Sequence, residues 1–376
     1  MRIELDGMLL KDEFAGVEFS IFSLARALAA FGSEQYELVV PREFPASHPE
    51  APNFETFRAA APAKIKTIRI LWEQMVFPIR IRKRRAALVH APGYIAPLLA
   101  DVPVVISVYD VIALKQPELC TVSNRLHYRV FMPLSVQKAS GIIVPSEKTK
   151  QDLGELFPKV EGKTTVIPLG VATKYQVLER TDSFHKIRQK YALPQDFILF
   201  VGQREPKKNL QALIHAFEIM ARDSSFNHGL VVAGKKGWGQ SRVHRIVRDL
   251  GLSGRVTFAD FVAPEDLPYL YNMADAFVFP SLYEGFGLPP LEAMACGIPV
   301  VCSNRGSLPE VVGDAALLAD ATDPSSIAAS LHRAINEEKT RTDLIEKGKQ
   351  RARQFTWRKT AELTEAFYRE IMSRQG

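Results

Sequence analysis

The chain has 376 residues, of which 47% are hydrophobic and 24% charged, the composition of a folded globular protein long enough for two domains. Its three cysteines include no CxxC pair, which argues against a disulfide framework and a structural zinc site. No stretch reaches the ~18 consecutive apolar residues of a membrane span, and the first residues lack a secretory signal pattern. Together these features predict a cytoplasmic protein.

Short β-branched runs alternate with helical patterns along the chain. The first half contains "RIEL", "YELVV", "ALVHA", "VPVVISV", "GIIVPS" and "TTVIPLG", and the second half contains "FILFVG", "GLVVAG", "RVTFADF", "AFVFPS", "IPVVCS" and "AALLAD". Apolar runs that each precede a helix-period segment are typical of parallel strands buried on both faces. Two sets of about six strands predict an α/β chain with two doubly wound, Rossmann-like domains.

The predicted boundaries follow from breaks in this pattern. Residues 1–172 form the first domain, the polar stretch 173–183 is the linker, and residues 184–356 form the second domain. The segment 357–376 reads as one last amphipathic helix. Its predicted apolar side is Trp357, Leu363, Phe367, Tyr368 and Ile371.

The positive charge is concentrated in one segment. Residues 64–85 hold eight Lys or Arg and one Glu, or +7, while the whole chain is +6. Such a segment can be an ordinary solvated helix face. Basic residues interleaved with Ile, Leu, Trp72 and Phe77 also suit an anionic membrane surface. Nucleic acid is disfavoured as a partner because no recognition motif accompanies the segment.

Ligands of doubly wound domains collect beyond the carboxyl ends of the strands, so the residues there are the first candidates. In the first half, Gly16 precedes a helix like a phosphate-approach turn, although Glu18 replaces the second glycine of GxGxxG. His90 ends a strand, and Tyr109 and Asp110 occupy the equivalent place one strand later. A lone histidine is more often structural than catalytic.

In the second half, "QREPKKNL" follows a predicted strand and carries Arg204, Lys207 and Lys208. Clustered cations at a strand–helix junction suit a diphosphate, and an ordinary basic loop remains open. Lys235 follows the next strand in the glycine-rich "KKGWGQ".

The most specific stretch is "SLYEGFGLPPLEAMACG", residues 281–297. Two prolines suit a first helical turn, so the glycine-containing residues 285–288 lie at a helix N-terminus, where amide groups and the helix dipole favour phosphate. Glu284 and Glu292 flank this turn. Either acid alone fits a capped turn, whereas the whole constellation favours a ligand site.

Taken together, these motifs resemble the retaining glycosyltransferases of family four, which have the GT-B fold. "SLYEGFGLPPLEAMACGIPVV" resembles their E-x7-E motif and "VGQREPKKNL" their G-x-x-E-P-R-K-N-L segment, with "AGKKGWG", "VTFADFV" and "VIPLGV" in the right order. The resemblance implies two Rossmann-like domains facing a central cleft. It also implies a last helix that crosses back onto the N-terminal domain.

The resemblance also implies roles for the motif residues. Glu292 would hold the ribose hydroxyls of a nucleotide-sugar and Glu284 would contact the donor sugar, beside the backbone amides of residues 285–288. Arg204 and Lys208 would balance the diphosphate. The predicted donor-binding residues are Gly16, Arg204, Lys207, Lys208, Lys235, Phe261, Val262, Gly285, Phe286, Gly287, Leu288 and Glu292, with Phe261 and Val262 at the base. The predicted catalytic residues are Glu284, Tyr109, Asp110 and His90.

The chain departs from the family pattern at three places. Tyr109 stands where the family usually has a histidine beside the donor sugar, Lys207 replaces the usual arginine and loses its bidentate geometry, and Glu18 replaces a glycine. The change at Tyr109 bears on sugar preference or on catalysis itself.

The resemblance implies an enzyme that transfers a hexose with retention, best matched by mannose from GDP-mannose, onto a lipid-linked or polysaccharide acceptor in cell-surface glycan synthesis. UDP-glucose or UDP-N-acetylglucosamine is an alternative donor, and a non-catalytic nucleotide-sugar-binding partner is an alternative function. A sugar phosphorylase is disfavoured by the chain's length. The implied scheme uses the nucleotide-sugar as substrate and needs no metal or other cofactor, and the chain has no Asp-x-Asp to hold a metal. The expected location is the cytoplasm, with peripheral attachment to the inner face of the cell membrane as an open alternative.

Overall fold

A computed structural model describes residues 1–11, 16–44, 49, 51–62, 64–238 and 240–374. The chain divides into two compact units. The first consists of residues 1–170 together with 356–376, and the second of residues 171–355. The segment 173–183, expected as a linker, thus belongs to the second unit. Its Leu178 amide, for example, donates to Asn272 Oδ1 at 2.8 Å.

The first unit is built on a parallel sheet of seven strands in the order β3-β2-β1-β4-β5-β6-β7. Its strands are β1 (Arg2–Asp6), β2 (Gln35–Val40), β3 (Phe54–Arg58), β4 (Leu88–Ala91), β5 (Val104–Ser107), β6 (Gly141–Val144) and β7 (Thr164–Val166). The sequence predicted six. It missed β3, "FETFR", because this edge strand has a mostly polar composition and only its first residue is buried.

Helices cover both faces of this sheet. They are α1 (Gly16–Phe31), α2 (Lys66–Leu71), α3 (Phe77–Arg84), α4 (Ile112–Lys115), α5 (Val122–Lys138) and α6 (Glu147–Leu156), with a π-helical segment, Trp72–Val76, between α2 and α3. Two 3₁₀ turns, Pro117–Leu119 and Pro158–Lys163, complete the connections. Consecutive strand residues alternate between two apolar clusters, since Leu38 packs in one and Val39 in the other.

The second unit has six parallel strands in the order β10-β9-β8-β11-β12-β13. These are β8 (Phe197–Val201), β9 (Gly229–Ala233), β10 (Val256–Asp260), β11 (Ala276–Phe279), β12 (Val300–Ser303) and β13 (Leu317–Ala319). Its helices are α7 (Asp182–Lys190), α8 (Leu210–Ala221), α9 (Gln240–Asp249), α10 (Leu267–Met273), α11 (Leu288–Ala295), α12 (Leu308–Val312), α13 (Pro324–Asn336) and α14 (Glu338–Ala352), with a 3₁₀ turn at Pro206–Lys208. The two sheets confirm the predicted α/β class with two doubly wound domains.

The last helix, α15 (Trp357–Ser373), belongs to the first unit. Thr356 caps it by accepting a hydrogen bond from the Lys359 amide at 3.2 Å. Phe367, Tyr368 and Ile371 are buried as the sequence predicts, but Leu363 is 38% exposed. The inward side of α15 is completed by small and polar residues instead: Thr360, Ala361, Thr364 and Glu365.

Candidate functional site

The strand order of the second unit reverses direction between β8 and β11, which are neighbours in the sheet but not in the chain. Loops leaving the carboxyl ends of such a pair run in opposite directions and leave a crevice between them. The loop after β8 carries Lys207 and Lys208, and the loop after β11 carries Glu284 and leads into α11. The fold therefore brings together two motifs that are 76 residues apart in the chain.

Lys208 and Glu284 form the central contact of this crevice. The Nζ atom of Lys208 donates to Oε1 of Glu284 at 2.5 Å, and the two side chains are only 13% and 12% exposed. The ammonium also lies 4.7 Å from the centre of the Phe279 ring. A buried charge is tolerated when it is paired in this way.

Burial and pairing act oppositely on the Glu284 carboxyl. Burial alone would raise the pKa of Glu284, but the positive charges of Lys208 and Lys207 outweigh it and leave that pKa below its usual value. Burial also lowers the pKa of Lys208, against the attraction of Glu284. Glu284 is thus held as an anion beside a cation in the crevice.

The loop that carries Glu284 is fixed from two sides. Ser307 Oγ donates to the carbonyl oxygens of Glu284 and Phe286, at 3.0 and 2.8 Å. From the other side, the Leu282 amide donates to the Lys207 carbonyl at 2.8 Å, and Asn209 Nδ2 to the Pro280 carbonyl at 3.2 Å. The backbone around the acid is therefore set before any ligand arrives.

Helix α11 begins beside this loop, at Leu288, with Gly287 as its capping residue. Gly287 has a φ of 112°, and a Cβ at this position would lie 2.6 Å from Leu308 Cδ2, so only glycine fits. Because glycine has no side chain, the capping residue itself covers none of the first helical amides. This is the arrangement in which a helix N-terminus receives an anion or a hydroxyl.

Glu292 lies inside α11 and is 7% exposed. Its Oε2 accepts a hydrogen bond from the Tyr271 hydroxyl at 2.9 Å. Burial raises the pKa of Glu292 to about 7, although the Tyr271 hydrogen bond, the Lys174 charge and a Tyr175 hydrogen bond oppose the rise. The carboxyl therefore titrates near neutral pH.

Arg204 has contacts different from those of the Lys208–Glu284 pair. It is 1% exposed, and its Nη2 donates to Oδ1 of Asp260 at the end of β10. Its guanidinium lies 5.4 Å from the centre of the Phe258 ring. Within the part of the chain that the structure describes, Nε and Nη1 of this side chain have no hydrogen-bond partner. The structure thus places Arg204 at the ends of β8 and β10.

Lys235, Phe261 and Val262 lie near that same end of the sheet. Lys235 Nζ lies 5.0 Å from the centre of the Phe261 ring, and the Lys235 carbonyl accepts from the Arg204 amide at 3.2 Å. Phe261 is 42% exposed, whereas Val262 is buried. The residues predicted for the nucleotide base are thus neighbours of Arg204 and Lys235.

In the first unit, His90 is fully buried in β4. Its Nδ1 is 2.6 Å from the Tyr368 hydroxyl and its Nε2 is 2.8 Å from Ser107 Oγ, so both ring nitrogens are occupied. Burial lowers the pKa of His90 to about 3. These contacts give it a structural role that joins β4 to α15, and no surface of its ring is open to a substrate.

Tyr109 and Asp110 follow β5 and are half-buried. The Tyr109 ring packs edge-on against Tyr94, with centroids 5.6 Å apart, and burial raises the pKa of its hydroxyl. Asp110 Oδ1 accepts from the Ile112 amide at 3.2 Å, at the start of α4. Gly16, with a φ of 40°, is the first residue of α1.

Several residues of this crevice carry no local sequence signal. Tyr271, Tyr175 and Lys174 surround Glu292, and Asn209 and Ser307 fix the loop of Glu284. An aromatic, a lysine or a serine at these places resembles any other core or surface residue until the chain is folded. Asn209 could have been found from its place next to the predicted cations, whereas Tyr271 lies inside α10 and carries no such signal.

Among the described residues, no helix is both long and apolar enough to cross a bilayer. In the same residues, no group of three or more His, Cys, Asp or Glu side chains is placed to hold a metal ion.

Comparison with known proteins matches both halves of the chain. Residues 14–175 match the model described as "Glycosyltransferase Family 4", and residues 183–351 match "Glycosyl transferases group 1". The O-antigen chain mannosyltransferase B of Escherichia coli is 32% identical over 278 residues, which cover 74% of this chain and 72% of that protein.

Two solved structures are similar over nearly the whole length. Sucrose-phosphate synthase of Thermosynechococcus elongatus superposes with a TM-score of 0.80 at 20% identity, over 99% of both chains. The Anabaena protein HepE in complex with UDP and glucose superposes with a TM-score of 0.76 at 20% identity, over 98% of this chain and 100% of that chain. These likenesses confirm the predicted GT-B fold. With its two matched halves and its mannosyltransferase relative, the chain belongs to the family-four glycosyltransferases of the group 1 type.

Proposed function

We propose that the protein transfers a hexose, with retention, from a nucleotide-sugar to a lipid-linked or polysaccharide acceptor in cell-surface glycan synthesis. The observation that carries this proposal is the buried Lys208–Glu284 pair just ahead of α11, with Glu284 eight residues before Glu292. The pair and the helix N-terminus offer a cation, an anion and backbone amides within one crevice. A ligand that carries both hydroxyls and phosphates needs such a mixture, because carboxylates accept from hydroxyls while cations and amides bind phosphate.

The chemistry follows from where charge develops. When the bond between the sugar and the diphosphate breaks, positive charge grows on the sugar and negative charge on the leaving diphosphate. Lys208 and the N-terminus of α11 are fixed in place before the reaction, so they stabilise the leaving group without reorganising. In this proposal Glu284, held as an anion, faces the sugar, and an acceptor hydroxyl attacks from the face that the diphosphate leaves, with its proton passing to the departing diphosphate oxygen.

The proposal also specifies which nucleotide and which sugar make up the donor. We propose mannose from GDP-mannose, and the name of the O-antigen chain mannosyltransferase B of Escherichia coli, which is similar over most of this chain, supports the mannose part. The Anabaena structure with UDP and glucose supports a UDP-sugar as the alternative, at lower sequence identity. A peripheral location on an anionic membrane, suggested by residues 64–85, fits a lipid-linked acceptor.

The experiment is a panel of GDP-, UDP- and ADP-sugars, measured by thermal stabilisation and by release of free nucleotide. We expect one donor to stabilise the protein and to be slowly hydrolysed. The variant Glu284→Gln should retain much of the stabilisation and lose hydrolysis, whereas Glu292→Ala should lose the stabilisation itself.

Two results would count against the proposal. Stabilisation without turnover, even after lipid-linked and oligosaccharide acceptors are added, would favour the binding-only alternative that Tyr109 suggests. No stabilisation by any donor would contradict the assignment of the crevice as the donor site.

A further inference from the structure

The basic segment 64–85 does not present all of its charge to solvent. Arg80 and Arg84 contact Glu37 of β2, at 2.5 and 3.1 Å, and Arg84 also contacts Glu55 of β3 at 2.8 Å. Arg69 pairs with the buried Glu73 at 3.3 Å. Arg80 and Arg84 thus attach α3 to the sheet, whereas Arg69 is paired within its own helical segment. Because these arginines already have partners, a surface that binds another molecule must lie on a different side of the same helices.

The outer side of these helices is apolar. Six large hydrophobic residues between Lys64 and Arg80 are exposed: Ile65, Ile68, Leu71, Met75, Val76 and Ile79. Leu71, for example, is 59% exposed, while Trp72 and Phe77 on the inner side are buried. Single exposed apolar residues are ordinary, but a continuous row on one segment marks an interaction surface.

A second row lies on α5. Val122, Leu126, Val130 and Leu134 are all exposed, with Leu126 at 65%. Their spacing of four residues keeps them on one broad side of the helix. Arg125 and Arg129 are exposed beside them. The sequence did not single out this helix, because its mixed composition has no run of charge.

The two rows belong to one side of the first unit. Trp72, Phe77 and Ile81 pack in the same apolar cluster as Met132 and Val136 of α5. The loop between β4 and β5 ties the elements together, because the Ala96 amide donates to Ser135 Oγ at 2.9 Å and the Ala96 carbonyl accepts from Gln74 Nε2 at 3.0 Å. Leu99, on this loop, is also exposed.

The charge of this surface identifies the partner. Between residues 64 and 85 the one acidic residue is Glu73, which is buried, and between residues 122 and 138 there is none. Asp101, on the loop between β4 and β5, is exposed beside these helices, where it pairs with Arg82 at 2.7 Å. Apolar rows flanked mainly by cations match the interface of a bilayer that contains anionic lipid. We propose that α2, the π-helical segment, α3 and α5 form one two-row surface that binds such a bilayer. This deepens the proposed peripheral location, and it needs no donor to be tested.

The test is co-sedimentation of the full chain with phosphatidylcholine vesicles, with and without phosphatidylglycerol. The double variant Leu126→Gln/Val130→Gln removes the centre of the α5 row, and Leu71→Gln/Met75→Gln removes that of the first row. Each should weaken binding to anionic vesicles by about tenfold or more, since two apolar side chains lose their burial in lipid. Arg125→Gln/Arg129→Gln should reduce the preference for anionic vesicles.

The matched control is Leu318→Gln/Leu363→Gln, two exposed leucines outside the surface, which should bind like the unaltered protein. Three results would overturn the inference: no vesicle binding by the unaltered protein, equal binding to neutral and anionic vesicles, or unaltered binding by the α5 variant. Failure of the donor panel would leave these measurements intact, because none of the altered residues lies in the donor-side crevice.

Discussion

Glu292 should make donor binding depend on pH around neutrality. Its pKa is raised to about 7 by burial, and the ionised carboxylate accepts two ribose hydroxyls more strongly than the neutral carboxyl. Affinity for a nucleotide-sugar, whose esterified diphosphate does not titrate near pH 7, should therefore rise about tenfold between pH 6 and pH 8. Calorimetric titration over that range measures it. The same shift has the opposite sign for stability, because a folded pKa above the unfolded value favours folding at low pH and loses that contribution as pH rises through 7.

Two variants separate this effect from general titration of the protein. Glu292→Gln should bind more weakly and lose the pH dependence. Tyr271→Phe removes a hydrogen bond that lowers the pKa of Glu292, so its midpoint should move to higher pH. A midpoint that stays in place in both variants would assign the titration to another group.

At the scale of single residues, the sequence was sufficient to predict the residues that form local motifs. It was not sufficient to predict the residues that contact them in the folded protein. Glu284, Glu292 and Lys208 were identified as candidates from loops after strands, and the structure brings Lys208 to Glu284. Tyr271 was not, because the meeting of α10 with α11 is a tertiary event. His90 was a candidate from its place at a strand end, and its two hydrogen bonds come from residues 17 and 278 positions away.

At the scale of secondary-structure elements, the backbone conformation of Gly287 at the start of α11 can be tested by substitution. Gly287→Ala places a Cβ against Leu308 and forces a φ of 112° on a residue that rarely adopts it. We expect a loss of about 2 kcal/mol in the free energy of unfolding and a larger loss of donor binding, because the loop of Glu284 must shift. Urea unfolding and the donor panel measure the two effects.

Gly254→Ala is the matched control, since nothing lies within 4 Å of its added Cβ and its φ is not positive. It should be neutral in both measurements. Equal losses in the two variants would mean that the conformation at residue 287 is not what fixes the loop.

Strands and helices with regular apolar patterns could be predicted, and elements defined by long-range pairing could not. The parallel sheets follow from their apolar runs. Edge strand β3 was not predicted because its sequence is mostly polar. It is a strand because it pairs with β2, from Tyr36–Phe54 to Val40–Arg58. Likewise the segment 64–85 reads as uniformly basic until Glu37 and Glu55 are brought to it from β2 and β3.

At the scale of the molecule, the last 21 residues return to the first unit, and Glu365 is the main polar anchor of this return. Its Oε1 accepts from the amides of Ser33 and Glu34, at 2.7 and 3.0 Å, and from the Tyr36 hydroxyl at 2.6 Å. Burial would raise the pKa of Glu365, but these hydrogen bonds lower it below its usual value. Its contribution to stability is therefore present above the unfolded pKa and is lost as pH falls through the folded one.

Glu365→Ala should thus weaken one unit selectively. It leaves two amides and a buried hydroxyl without their acceptor, at a cost of about 3 kcal/mol, and the loss should fall on residues 1–170 and 356–376. Hydrogen exchange followed by mass spectrometry can assign it, with faster exchange in those peptides and unchanged exchange in 171–355. Glu362→Ala is the control on the same helix, because its contact with Arg358 is exposed and should contribute little. Faster exchange spread equally over both units would mean that they unfold together, and the assignment of α15 to the stability of the first unit alone would then be wrong.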